Sequence, residues 1–263
     1  MQAGAASLQR PLARCRNTGG RRQYKPPTDL NNPGMKPRSQ AFFDLLQTLN
    51  NAAQRAGRPP ARLLAVSKTQ PAEAVAALAS AGQRAFGENY VQEAVAKAQS
   101  LSVLGLEWHL IGHLQSNKCR EAAEHFDWLQ SLDRLKLVEP LDRYRPAGRG
   151  RLNVLIQVNI DGEAGKAGCA PAQIETIAAA VAATRNLQLR GLMAIPEPLP
   201  ELEDRRAGFR RMRQLFDALA ARYPDVDTLS MGMSEDYPLA IEEGATMVRV
   251  GSALFGPRTP HPK

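Results

Sequence analysis

The sequence predicts an α/β chain folded as a single (β/α)8 barrel of the TIM type, preceded by one N-terminal helix and a disordered basic tail. Three observations carry that reading. Eight short apolar segments alternate with helical patterns between Leu63 and Val250. The first, Leu63–Val66, is a continuous apolar run, as expected of a strand covered on both faces in a parallel sheet. Polar and small residues gather just after the segments, where such barrels carry their chemistry. Strand–helix alternation argues for a parallel sheet, and eight strands close it into a barrel. A doubly wound open sheet is the alternative, but no glycine-rich dinucleotide loop follows a strand, and Gly82, Gly87 and Gly105 have the wrong spacing for one.

The chain divides into a tail, residues 1–38, and a barrel domain, residues 39–263. The tail holds eight basic residues and one acid, so it carries +7 of the net charge of +8. It is rich in Pro, Gly, Asn, Gln and Arg, shows no periodicity, and is expected to be disordered. It lacks an apolar signal region, and its Arg-rich, acid-poor start weakly resembles a transit peptide. A start at Met35, just before the first amphipathic helix, is the simpler reading. The remaining residues carry 26 basic and 25 acidic groups. A near-neutral body without aromatic interleaving argues against a nucleic-acid groove. No apolar run is long enough for a membrane span.

Ser39 to Ala56 reads as an amphipathic helix with Phe42, Phe43, Leu45, Leu46 and Leu49 on one side, ended by Gly57 and the pair Pro59 and Pro60. The strand candidates are Leu63–Ser67, Arg84–Gly87, Glu107–Ile111, Trp128–Ser131, Asn153–Asn159, Gln188–Ile195, Thr228–Met231 and Met247–Val250. Helical patterns fill Pro71–Ser80, Tyr90–Leu101, Ser116–His125, Leu135–Tyr144, Pro171–Arg185, Leu202–Tyr223 and Tyr237–Glu243, with a minimal last helix expected after Gly256. Pro71 reads as the first turn of its helix. Cys15, Cys119 and Cys169 are odd in number and far apart, which suits a reducing cytoplasm and suggests neither zinc nor disulfides.

Lys68 falls where the first strand ends and the crossover begins, a suitable place for a nucleophilic amine; the bland alternative is a solvated lysine. The segments after strands seven and eight hold Gly232, Ser234, Gly251 and Ser252. Barrels often bind phosphate there, and glycines let a backbone approach a ligand closely. Ser234 is expected to cap the next helix and to offer its hydroxyl and N–H to an anion. An amine and a phosphate cup on one rim suggest pyridoxal 5′-phosphate (PLP) held as a Schiff base. Arg249 sits inside an apolar run, where it needs a partner. That partner is either Glu88 or another acid, or the pyridine nitrogen of PLP. An arginine keeps its proton, so the ring nitrogen would stay unprotonated and the cofactor would be a poor electron sink.

Six segments together resemble the pyridoxal phosphate homeostasis protein family: Ala65–Thr69, Phe86–Glu93, Trp108–Lys118, Gly191–Ile195, Leu229–Asp236 and Val248–Gly256. Members of that family are similar to the N-terminal barrel of alanine racemase. The resemblance covers residues 39–258 and implies a PLP-binding barrel without established catalytic activity. Such a protein holds PLP, takes part in intracellular vitamin B6 homeostasis and supplies PLP-dependent apoenzymes. By motif position it implies Lys68 as the Schiff-base lysine, and Ser234, Gly251 and Ser252 at the phosphate, with Met233 and Ser230 beside them. It places Arg249 at the pyridine nitrogen, and Asn89, His109 and Met193 around the cofactor. Lys166 matches a loop lysine, a transient second amine or simply a solvated one. No catalytic residue and no metal ligand is expected, and the protein is expected to be a cytoplasmic monomer.

The competing function is a PLP-dependent amino-acid racemase. A two-base racemase needs a second acid/base on the far face of its substrate, in alanine racemases a tyrosine from a separate domain that this sequence is not expected to contain. Tyr90 and Tyr237, the tyrosines near strand ends, are expected to pack at helix starts. A phosphosugar enzyme without PLP would leave Arg249 unexplained.

Overall fold

The computed structural model describes residues 38–256. The expected disorder of residues 1–37 and the helix expected after Gly256 lie outside the described residues, while Arg38, expected in the tail, opens the first helix. Eight strands form a closed parallel barrel in sequence order: β1 (Arg62–Val66), β2 (Ala85–Glu88), β3 (Glu107–Leu110), β4 (Trp128–Leu132), β5 (Leu152–Val158), β6 (Leu187–Ala194), β7 (Thr228–Ser230) and β8 (Met247–Val250). Closure comes from β8 pairing with β1, in register from Arg62 opposite Met247 to Ala65 opposite Val250. The (β/α)8 expectation holds, and no strand bound moves by more than one residue from the predicted one.

The helices are α1 (Arg38–Arg55), α2 (Ala72–Ser80), α3 (Val91–Ser100), α4 (Cys119–His125), α5 (Val138–Tyr144), α6 (Ile174–Ala182), α7 (Leu202–Ala220), α8 (Tyr237–Glu242) and α9 (Ser252–Phe255). The helical patterns that begin at Ser116, Leu135 and Pro171 each open with a 3₁₀ turn. Pro71 is the N-cap of α2, and Glu73 lies in its first turn, where a carboxylate suits the helix dipole. Among the described residues a short helix, α9, ends just before Gly256. α1 packs against α8 and α9, and Phe42, Leu45, Leu49, Ala52 and Ala53 are its buried residues.

Period two along each strand separates two cores. Outward side chains such as Leu63, Ala65, Phe86, Trp108 and Leu110 join the helices in one large apolar layer. Inward side chains form two small apolar groups apart from it. Leu64, Ala85 and Met247 make one, and Trp128, Leu155 and Met193 make the other. Each fully buried Leu contributes about 1.5–3 kcal/mol. Between these two groups the barrel interior is polar, and that polar seam leads to the mouth.

Candidate functional site

A cavity of about 200 Å3 opens at the C-terminal end of the barrel strands. Its wall follows from the strand period. Val66 and Lys68 continue the inward face of Leu64 on β1. Ile111 continues that of His109, Asn89 that of Gly87, Ile195 that of Met193, and Gly251 that of Arg249. Lys68, Asn89, Met233, Ser234, Arg249, Gly251 and Ser252 all border this one cavity, together with Gln70, Phe255 and Gly256. The sequence reading had singled out seven of these residues from separate motifs.

Arg249 is 4% exposed. No carboxylate accepts its hydrogen bonds, so the acid partner considered from sequence is absent among the described residues. Glu88 binds Lys97 instead, at 2.8 Å. Arg249 Nη1 donates to Ser230 Oγ at 2.8 Å, and Nη2 donates to the Ala194 carbonyl at 2.8 Å. Burial pulls the Arg249 guanidinium down to about 10, which still leaves it a cation at neutral pH. Two neutral acceptors therefore fix a charged group whose edge reaches the cavity.

The seam continues below the arginine. Ser230 Oγ donates to Gln130 Oε1 at 2.7 Å, and Gln130 Nε2 donates to His109 Nδ1 at 2.9 Å. A nitrogen that accepts carries no proton, so His109 holds its proton on Nε2 and donates it to Glu107. Glu107, at the first position of β3, pairs with Arg62, at the first position of β1, at 2.8 Å. Burial pushes the His109 imidazole below its ordinary range, which favours this neutral tautomer. The ring also stacks on Trp128, with centroids 5.1 Å apart.

Three expected cofactor contacts are not brought to the cavity: His109 and Ser230 belong to the seam, and Met193 to the apolar group with Trp128 and Leu155. His109 and Met193 lie inside the barrel, each two residues below the mouth residue of its own strand, Ile111 and Ile195. Ser230 lies behind Arg249. All three are fully buried, and none of them borders the cavity. Val66, Gln70, Ile111, Ile195, Phe255 and Gly256 were missed. The inward period counted upward from Leu64, His109 and Met193 would have found three of these.

At the far end of the cavity the turns after β7 and β8 face each other. Ser234 does not cap α8, as the sequence suggested. Asp236 is the N-cap, and its Oδ1 accepts the Met233 N–H at 2.6 Å. The Ser234 side chain is thereby left at the cavity wall. Gly232 has φ +89°, and a Cβ there would lie 2.5 Å from the Ala240 Cβ, so this turn requires glycine. Its carbonyl accepts the Arg249 N–H at 3.0 Å, which ties the β7 turn to β8.

Other candidates stand apart from the cavity. Lys166 sits in the segment after β5 and pairs with Glu163 at 2.5 Å. Tyr90 is the exposed N-cap of α3, and Tyr237 begins α8 half-buried. Among the described residues no cluster of metal-ligating side chains occurs, and no helix is long and apolar enough to cross a membrane.

The model of the family described as alanine racemase, N-terminal domain, matches residues 44–259. The pyridoxal phosphate homeostasis protein of Pseudomonas aeruginosa is 55% identical over 212 residues, covering 80% of this chain and 91% of its own. That of Escherichia coli K12 is 54% identical over 215 residues, covering 80% and 92%. The solved structure of PipY from Synechococcus elongatus with PLP bound is 40% identical, with a TM-score of 0.72, covering 83% of this chain and 100% of that one. Alanine racemase from Corynebacterium glutamicum, at 20% identity and a TM-score of 0.55, shares the fold. With a matching model over most of its length and relatives more than half identical, the chain belongs to the pyridoxal phosphate homeostasis protein family, a branch of the alanine racemase N-terminal barrels.

Proposed function

We propose that this chain binds PLP at the barrel mouth through Lys68 and serves intracellular vitamin B6 homeostasis by holding the cofactor and releasing it to PLP-dependent apoenzymes. The observation that carries this reading is the donor set of the one cavity. A lysine amine, a buried guanidinium and two serine hydroxyls beside a glycine turn border it together. That set fits the group, with an amine for the aldehyde, a cationic donor for the ring nitrogen, and hydroxyl and backbone donors for the phosphate. Val66, Ile111, Ile195 and Met233 offer apolar walls to a planar ring. The relatives' names and the PLP-bound PipY structure support the same reading.

Lys68 would hold bound PLP through a Schiff base between its amine and the cofactor's aldehyde. Bound PLP supplies an electron sink only so far as its ring nitrogen carries a proton. Arg249 keeps its own proton and donates, so it holds the ring in place without activating it. Among the described residues lining the cavity, Lys68 and Arg249 are the ionisable side chains, and an arginine does not give up its proton. A two-base racemase requires a second acid/base beside the lysine. Holding the cofactor therefore suits the site better than turning over amino acids.

The protein works in this reading as a cytoplasmic monomer, with Asn89, Ser234, Gly251 and Ser252 contacting the cofactor and Lys166 as a solvated loop residue. Titration of the purified protein with PLP, followed by absorbance, tests the binding. The wild type is expected to develop a Schiff-base band that Lys68→Ala lacks, and to show no racemase turnover with any amino acid. An unchanged band in Lys68→Ala would remove the assignment, and turnover dependent on Lys68 would make the protein an enzyme.

A further inference from the structure

The segment that carries Lys68 is strained. Thr69 has φ +64° and is the one non-glycine residue with positive φ among the described residues. A β-branched residue rarely adopts this conformation, and it persists only where the surroundings over-determine it. The Gln70 N–H donates to the Ser67 carbonyl at 3.0 Å. This closes a four-residue turn with Lys68 second and Thr69 third, a place where glycine or asparagine is usual when φ is positive.

A charged cluster on α3 grips both sides of that turn. The Thr69 N–H donates to Glu93 Oε1 at 2.6 Å. Lys97, 7% exposed, donates to the Ser67 carbonyl at 2.7 Å, to Glu88 Oε1 at 2.8 Å and to Glu93 Oε1 at 2.7 Å. Ser67 Oγ donates to Glu88 Oε1 at 2.5 Å. The residues before and after Lys68 are thus bound to one ammonium–carboxylate group, and none of its charged members borders the cavity. Two acids and a lysine are costly to bury unless paired and hydrogen-bonded, and here Lys97 meets both carboxylates while Glu88 Oε2 stays buried without a partner. A turn of ordinary geometry would not need them.

We propose that Glu93 and Lys97, with Glu88, are positioning residues that hold the Ser67–Gln70 turn in its strained form and so set the Lys68 amine on the cavity wall. This deepens the proposed function and rests on Lys68 being the PLP-holding amine. Glu93 is the testable member, since it is half-buried and its loss leaves the Lys97–Glu88 pair intact.

The experiment compares wild type, Glu93→Ala, Glu93→Gln, Thr69→Gly and the double variant Thr69→Gly with Glu93→Ala, using PLP as the probe. Glu93→Ala is expected to raise the Kd for PLP about tenfold, the loss that accompanies one hydrogen bond to a charged group. Glu93→Gln keeps an acceptor and should lose less. Glycine adopts positive φ without penalty, so the double variant should recover most of the affinity, and Thr69→Gly alone should bind like wild type. A Kd unchanged in Glu93→Ala, or a loss that Thr69→Gly does not reduce, overturns the proposal. Amide hydrogen exchange of Thr69 in the protein without PLP gives a separate readout. Protection in the wild type that disappears in Glu93→Ala supports the proposal, and equal exchange in both contradicts it. A wild type that takes up no PLP would defeat the proposed function, whereas the exchange result would still decide whether the cluster holds the turn.

Discussion

Arg249 donates to Ser230 at 2.8 Å, and through that one hydroxyl the cationic wall of the cavity joins a hydrogen-bond chain that crosses the barrel to Glu107 and Arg62. The chain has a single direction. Arg249 gives to Ser230, Ser230 to Gln130, Gln130 to His109 and His109 to Glu107. Guanidinium groups supply only donors, so a chain that starts at one arginine and ends on a carboxylate held by another is the arrangement that leaves no member facing its like.

Gln130 is the hinge of this chain, because its amide turns an acceptor toward Ser230 and a donor toward His109. Gln130→Leu strands the His109 Nδ1 and the Ser230 hydroxyl in a buried setting. A loss of about 2–4 kcal/mol is expected, seen by calorimetry as a fall in Tm of roughly 4–16 °C. PLP affinity should fall with it, since the guanidinium loses its fixed neighbour. An unaltered Tm would show that the chain contributes nothing.

Glu107 gives the lower end of the chain a pH signature. Burial alone would raise its carboxyl, but hydrogen bonds from His109 and Arg62 outweigh burial and hold it at about 2, below the ordinary 4.5. The unfolded chain takes up this proton first as pH falls. The resulting stability is present above about pH 4.5 and is lost between there and about pH 2. Urea unfolding across that range should show the loss in wild type and a flatter profile in Glu107→Gln. Parallel profiles would contradict the assignment.

Gly112 sets the position of Asn89. A Cβ on Gly112 would lie 2.1 Å from the Asn89 carbonyl oxygen, so Gly112→Ala must displace the backbone of a residue on the cavity wall. Such a displacement costs about 1–3 kcal/mol. A several-fold rise in the Kd for PLP is expected beside the lower Tm, and a Tm change with no change in Kd would place Asn89 outside the binding site.

The barrel was legible because eight strand candidates, opening with the apolar run Leu63–Val66, alternate with helix patterns along the chain. The mouth was legible where a residue lies beyond the end of its strand, as Lys68, Asn89, Ser234 and Ser252 do. It was less so within strands. His109, Met193 and Ser230 are polar or adaptable and stand out in the sequence, yet each lies one layer below the mouth, and only the period-two count distinguishes the layers. Ser234 looked like a cap because serine commonly is one, but Asp236 is better placed, next to the first helical residue. The Glu88–Glu93–Lys97 cluster could not be read at all. Its charges lie on α3 and at the end of β2, with a spacing common to solvated helix faces, and only the fold turns them against the Ser67–Gln70 turn.

Borohydride reduction of the PLP-loaded protein, followed by proteolysis and peptide mass mapping, tests the central claim most directly. The account predicts a pyridoxyl group on the peptide that contains Lys68 and on no other lysine. A pyridoxyl group found instead on Lys166 or any other lysine, or no labelled peptide at all, would contradict it.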